Sequence, residues 1–124
     1  MKKIVIVGAI GYLGTELCKI YSGESWRNKI VALDSRFVSE RVSQLSDWNI
    51  QFFQGHILDK KFLKKHLNDA DVVHHLAGVT DVAYVKTEAN SELDERIKSI
   101  AIEGTNNILN LIPKNCKIIF PSTH

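Results

Sequence analysis

Apolar residues fall along this chain in two alternating patterns. Unbroken apolar runs occur at Lys3-Ile4-Val5-Ile6-Val7, Ile30-Val31-Ala32-Leu33, Ile50-Gln51-Phe52-Phe53, Val72-Val73-His74-His75-Leu76 and Lys117-Ile118-Ile119-Phe120. Short runs of this kind predict strands, and the first three read as buried ones. Between them the apolar positions switch to helical spacing. Leu13, Leu17, Ile20 and Tyr21 predict a helix over 12–22. A short helix over 59–67 starts at Asp59, a residue suited to the N-cap. Leu93, Ile97, Ile100, Ala101, Gly104, Ile108, Leu111 and Ile112 form one stripe on a long helix, about 91–112, which Pro113 stops. No element is assigned between 35 and 49.

Strands alternating with helices imply right-handed crossovers and a parallel sheet covered on both faces. The expected fold is a doubly wound α/β domain of about five strands, with residues 1–124 as one domain. Ligands of such sheets bind at the carboxyl ends of the strands, where strand order reverses.

Composition narrows the partners. A net charge of +2 is too small to argue for nucleic acid or a membrane surface. The one basic cluster, Lys60, Lys61, Lys64 and Lys65, is interleaved with Phe62, Leu63 and Leu67, as on a solvated helix face. Cys18 and Cys116 have no metal spacing and read as small buried hydrophobes in a reducing compartment. The apolar run Ile4–Val7 is too short for a signal peptide, so a cytoplasmic location is expected.

The chemistry concentrates at Val7-Gly8-Ala9-Ile10-Gly11-Tyr12-Leu13-Gly14-Thr15, between the first strand and the first helix. Asp34 stands 20 residues after Gly14, at the end of the second strand. Glycines opening a helix after a strand, followed by an acid at that distance, form the dinucleotide-binding arrangement. Gly8 would allow the tight turn, Gly11 the approach of a pyrophosphate, and Gly14 close helix packing. Tyr12 and Leu13, at the helix N-terminus, join these candidates, since N–H groups there attract phosphates. Asp34 would accept from the adenosine ribose hydroxyls, favouring NAD over NADP, although Arg36 is a residue type that accommodates a 2′-phosphate. No Gly-Lys-Ser/Thr follows, which excludes a nucleoside-triphosphatase phosphate loop.

The spacing Gly8-x-x-Gly11-x-x-Gly14 resembles the extended short-chain dehydrogenase/reductase family, the NAD-dependent nucleotide-sugar epimerases and dehydratases. Phe53-Gln54-Gly55-His56-Ile57-Leu58-Asp59 is similar to that family's Gly-Asp-x-x-Asp segment, and His75-Leu76-Ala77-Gly78 to its His-Leu-Ala-Ala segment. Glu103-Gly104-Thr105-Asn106-Asn107-Ile108-Leu109 is similar to its Gly-Thr-x-Asn-Leu-Leu helix, and Ile119-Phe120-Pro121-Ser122-Thr123 to its fifth strand with an active-site Ser/Thr. The resemblance implies a Rossmann-like cofactor domain. It implies that Leu76, Ala77 and Gly78 line the cofactor's path. Thr123 would bond substrate beside the nicotinamide, with Ser122 just before it, and Thr80 lies near positions that touch substrate or cofactor.

This chain also departs from the family. His56 stands where an Asp usually contacts adenine; a histidine can hydrogen-bond or stack there, so His56 and the adjacent Ile57 remain candidate contacts. Ala101 replaces an Asn of the proton relay, which puts that relay in question. His74 replaces an aromatic and reads as a core or interface residue. His74 and His75 must point to opposite faces of a strand, which argues against a shared metal site. The family's acid/base pair is Tyr-x-x-x-Lys. Here Tyr12, Tyr21 and Tyr84 are followed four residues on by Glu16, Ser25 and Glu88. The expectation is a cofactor half that stops before the substrate domain, inactive alone. Its nucleotide-sugar substrate would belong to a longer parent, and its fifth strand would be an open edge that invites homodimers. A non-catalytic NAD(H)-binding or sensing module is the alternative.

Overall fold

Five parallel strands form one sheet in the order β3-β2-β1-β4-β5. The structure is a computed structural model and describes residues 1–77 and 91–121. In chain order the elements are β1 (Lys3–Val7), α1 (Tyr12–Tyr21), β2 (Lys29–Asp34), α2 (Ser39–Asp47), β3 (Gln51–Gln54), α3 (Lys60–Leu67), β4 (Val72–His75), α4 (Ser91–Leu111) and β5 (Lys117–Ile119). A single 3-10 turn, Ser22–Glu24, follows α1. This is the doubly wound Rossmann-like architecture that the sequence predicts.

Side-chain alternation along the strands divides the core into two layers. Ile4, Ile6, Ile30 and Ala32 pack with Cys18 of α1 and Leu45 of α2 on one face. Val5, Val7, Val31, Leu33 and Val73 pack with Leu63 and Leu67 of α3 and Ile108 of α4 on the other. Each buried Val, Leu or Ile among them contributes about 1.5–3 kcal/mol by leaving water. In α3 the Asp59 side chain accepts from the Phe62 N–H at 3.1 Å, as its N-cap role predicts. Lys60, Lys61, Lys64 and Lys65 are exposed while Leu63 and Leu67 are buried, so the basic cluster is a solvated helix face.

Three expectations are corrected. Helix α2 was not assigned from sequence. Its segment Ser39–Asp47 buries only Leu45, with Val42 and Trp48 partly buried, and its N-cap Val38 offers no capping side chain. The readable signal was Asn49 (φ +60), a residue that tolerates the left-handed turn ending a helix. Strand β3 is not fully buried, because it lies at the sheet edge: Phe52 and Phe53 are half-covered, and Gln51 and Gln54 are exposed. Cys116 is half-buried rather than buried, while Cys18 is fully enclosed, and burial pushes its thiol up to about 12.

Candidate functional site at the carboxyl ends of the strands

The turn after β1 is built by contacts that exclude a side chain. Gly8 adopts φ +89, a region that favours glycine, and a Cβ there would stand 2.7 Å from the Ala77 nitrogen. A Cβ on Gly14 would stand 2.2 Å from the Gly8 oxygen and 2.6 Å from the Ala9 Cα. The first turn of α1 therefore rests directly on the turn after β1. Gly11 differs. It is the N-cap of α1 at φ −66, ψ 170, a conformation open to any residue, and no side chain caps the helix there. Tyr12 and Leu13 follow, 72% and 42% exposed.

The turn is tied to the end of β2. Leu33 O accepts from the N–H groups of Gly8 (2.8 Å) and Ala9 (3.2 Å). Asp34, the last residue of β2, is 6% exposed. Its Oδ2 accepts from the Ile10 N–H at 2.9 Å. Its Oδ1 accepts from the Arg36 N–H at 2.9 Å, and the Arg36 guanidinium adds Nε to Oδ1 at 3.2 Å and Nη2 to Oδ2 at 3.3 Å. Arg41 of α2 donates from Nη1 to Ile10 O, so the Ile10 residue is held at both its N–H and its carbonyl. The Ile10 side chain is 1% exposed and seats the turn on the core.

The turn after β3 is anchored differently. Its first residue, Gly55, donates its N–H to Asp34 O at 2.9 Å. His56 is exposed, and its Nδ1 accepts from the Leu58 N–H at 3.1 Å. Ile57 is half-buried against α4, where a Cβ on Gly104 would stand 2.1 Å from Ile57 Cδ1. Asn107, itself buried, donates from Nδ2 to Ile57 O at 3.1 Å. Gly104 and Asn107 were not named as site residues from sequence. Their signal was the Gly-Thr-x-Asn pattern, read there only as a family mark.

At the end of β4, Leu76 donates its N–H to Val7 O at 2.8 Å, and the backbone of Leu76 and Ala77 presses on Gly8. His75 Nε2 is 2.8 Å from Thr105 Oγ1 of α4, and its Nδ1 is buried without a partner. His74 Nε2 is 2.7 Å from the Tyr21 hydroxyl of α1. The two histidines thus lie on opposite faces, and burial pushes the pKa of each down. His74 is a core residue. Among the described residues, no group of three or more His, Cys, Asp or Glu comes together, and none of their helices is long and apolar enough to cross a membrane.

Gly8, Gly14, Asp34, Gly55, Leu76 and Ala77 are thus linked at the carboxyl ends of β1 to β4. Gly78, Thr80, Ser122 and Thr123 lie outside the described residues. Backbone packing leaves no room for a Cβ at Gly8 or Gly14, and β2 presents a buried carboxylate beside the turn. A carboxylate at that place accepts from hydroxyls, and an uncapped helix N-terminus favours an anion.

Comparison with known proteins agrees with this geometry. Residues 5–123 match the 3-beta hydroxysteroid dehydrogenase/isomerase family. The chain is 32% identical over 112 residues to the uncharacterized protein 052L of Frog virus 3 (isolate Goorha), covering 88% of this chain and 29% of that protein. It is 33% identical over 89 residues to the dTDP-D-glucose 4,6-dehydratase of Dictyostelium discoideum, covering 66% of this chain and 20% of the relative. The UDP-glucose-4-epimerase of Stenotrophomonas maltophila, solved with bound NAD and formylated UDP-arabinopyranose, superimposes with a TM-score of 0.74 at 17% identity. That match covers 97% of this chain and 36% of the epimerase, and it shows a common fold. The chain therefore spans well under half the length of each of these proteins. The order of its motifs, its strand order and the match over 5–123 lead to one assignment: the chain belongs to the 3-beta hydroxysteroid dehydrogenase/isomerase family, among the extended short-chain dehydrogenases/reductases.

Proposed function

We propose that residues 1–124 form a domain that binds NAD as the cofactor half of a nucleotide-sugar epimerase/dehydratase-type oxidoreductase. One observation carries the reading: the buried Asp34 carboxylate is fixed by the Ile10 N–H, directly beside a turn packed too closely for a Cβ at Gly8 or Gly14. The residues fit a dinucleotide. Gly8, Gly11, Tyr12, Leu13 and Gly14 offer backbone and helix N-terminus to a pyrophosphate. Asp34 accepts from the ribose hydroxyls. His56 and Ile57 serve the adenine, Leu76, Ala77, Gly78 and Ser122 the cofactor, Thr80 the substrate, and Thr123 is the catalytic hydroxyl that bonds substrate.

Bound NAD supplies a hydride acceptor and donor. These 124 residues contain no tyrosine four positions before a lysine. They therefore supply the cofactor seat and not the family's acid/base pair. The same fact favours a second reading, a module that holds NAD(H) without turnover. Assay of the chain with UDP- and dTDP-sugars separates the two: turnover would exclude the second.

Isothermal titration with NAD tests the seat. The chain is expected to bind NAD, and Asp34→Ala to weaken binding at least about tenfold, the loss of hydrogen bonds to a charged acceptor. Asp34→Asn keeps an acceptor for the Ile10 N–H and so separates loss of the ribose contact from loss of the turn. No binding by the unaltered chain would overturn the reading, and unchanged binding in Asp34→Ala would remove Asp34 from the site.

A further inference from the structure

We propose that the open edge of β3 is a docking site for an extended partner segment in which apolar and acidic residues alternate, added to the sheet as a strand beyond β3. β3 ends the strand order β3-β2-β1-β4-β5, and among the described residues no strand pairs with its outer side. The ladder fixes which of its groups are free. Gly55 donates its N–H to Asp34 O, so Gly55, Phe53 and Gln51 face β2. Alternation turns the N–H and C=O of Phe52 and Gln54 outward.

The two edges of the sheet differ in their protection. An exposed edge is normally blunted by charge or proline. β5 carries the exposed Lys117, and Pro121 follows it closely. Between Asp47 and Asp59 there is no Asp, Glu, Lys, Arg or Pro, and so none in β3. An incoming strand therefore meets the β3 backbone without displacing a charge.

The two faces of that edge select the partner's side chains, because successive residues of an added strand alternate between them. On the α2 face a groove of about 390 Å³ runs beside β3, its lining including Val42, Ser46, Ile50 and Phe52. Phe37, largely exposed, packs edge-to-face on Phe52 and adds to this apolar surface. On the α3 face Phe53 stacks on His66 at 4.3 Å. Lys29 of β2 and Lys65 of α3 are exposed, and among the described residues neither has a carboxylate within ion-pair distance. Burial lowers the pKa of His66, and Lys3, Lys65 and Lys29 lower it further, against Asp69 alone. The field beside Phe53 is thus positive, and carboxylates complement it. A second copy of this chain would bring an uncharged β3 and another set of lysines, so it fits this edge less well than an acidic strand. Main-chain hydrogen bonds give such docking its affinity, and the two unlike faces give it its sequence pattern.

The test is fluorescence anisotropy with capped peptides of alternating Val and Glu, of alternating Val and Lys, and of Val and Glu in separate blocks. The alternating Val-Glu peptide is expected to bind saturably and more weakly as salt rises. The other two should bind at least about tenfold more weakly. Gln54→Pro removes an outward N–H and leaves the ladder to β2 whole. It should weaken binding about two- to tenfold without moving the urea midpoint. Lys29→Ala combined with Lys65→Ala should weaken binding about two- to fivefold and flatten its salt dependence. Amide shifts in the complex should gather at Phe52 and Gln54. Equal binding of the three peptides, no binding, or shifts gathered on β5 would overturn the proposal. So would a dimer of the unaltered chain that Gln54→Pro dissolves, which would give the edge to a second copy. If Gln54→Pro unfolds, the lysine pair and the amide shifts decide.

Discussion

The turns after β1 and β3 stand on either side of the end of β2, at the carboxyl ends of the strands, yet they are held by different parts of the molecule. The first is gripped by its neighbouring strand: Leu33 O takes two of its N–H groups and Asp34 takes a third. The second touches that strand once, through Gly55 N–H to Asp34 O, and otherwise leans on α4 through Gly104 and Asn107. Asp34 serves both, with its carboxylate on one side and its carbonyl on the other. The first turn is thus rigid against backbone, and the second against a side chain that can yield.

The largest expected effect breaks the rigid turn. In Gly14→Ala the new Cβ would meet backbone oxygen and carbon that cannot move without disturbing β1. A loss of about 3 kcal/mol or more is expected in urea unfolding. A loss below about 1 kcal/mol would show that α1 can slide off the turn.

A smaller effect is expected at the second turn. Gly104→Ala meets the end of the flexible Ile57 side chain, and a loss of about 1–2 kcal/mol is expected. Combining it with Ile57→Val should recover part of that loss. A double-mutant cycle with no coupling between the two would show that Gly104 does not bear on the turn after β3.

The smallest effect concerns acidity on the α4 side of the sheet. Burial lowers the pKa of His75, bonded to Thr105 next to Gly104, below the ordinary 6.5. His74 and His66 are shifted the same way, chiefly by burial. The unfolded chain therefore takes protons more readily than the folded one in this range. Stability is full above about 6.5 and declines as pH falls below it toward the lowered values. Unfolding midpoints at pH 7, 6 and 5 should fall in that order, and less steeply in His75→Gln. An equally steep decline in that variant would assign the effect to the other two histidines.

The difference between the two turns also explains what the sequence revealed. Gly8, Gly14 and Asp34 were legible because the first turn is a local affair of one strand, one helix and the next strand. Their spacing is imposed by geometry within a single β-α-β unit. Gly104 and Asn107 act on Ile57 from far along the chain, and no periodicity encodes such a contact. Helix α2 was missed because it shields only a narrow strip of sheet and so carries few apolar residues. Strand β3 was overread because Phe52 and Phe53 are as apolar as a central strand requires, while edge position is a property of topology. Arg36 was seen beside Asp34, but the hydrogen bonds between them needed coordinates.

The contact between Ile10 and Asp34 closes over 24 residues, whereas that between Ile57 and Asn107 closes over 50. Each doubling of a closed loop costs about 0.6 kcal/mol more in chain entropy. During synthesis the first turn can be complete once β2 has emerged and paired with β1, well before α4 exists. The glycine turn can thus form early in folding, and the turn after β3 gains its contact with Asn107 only when α4 docks.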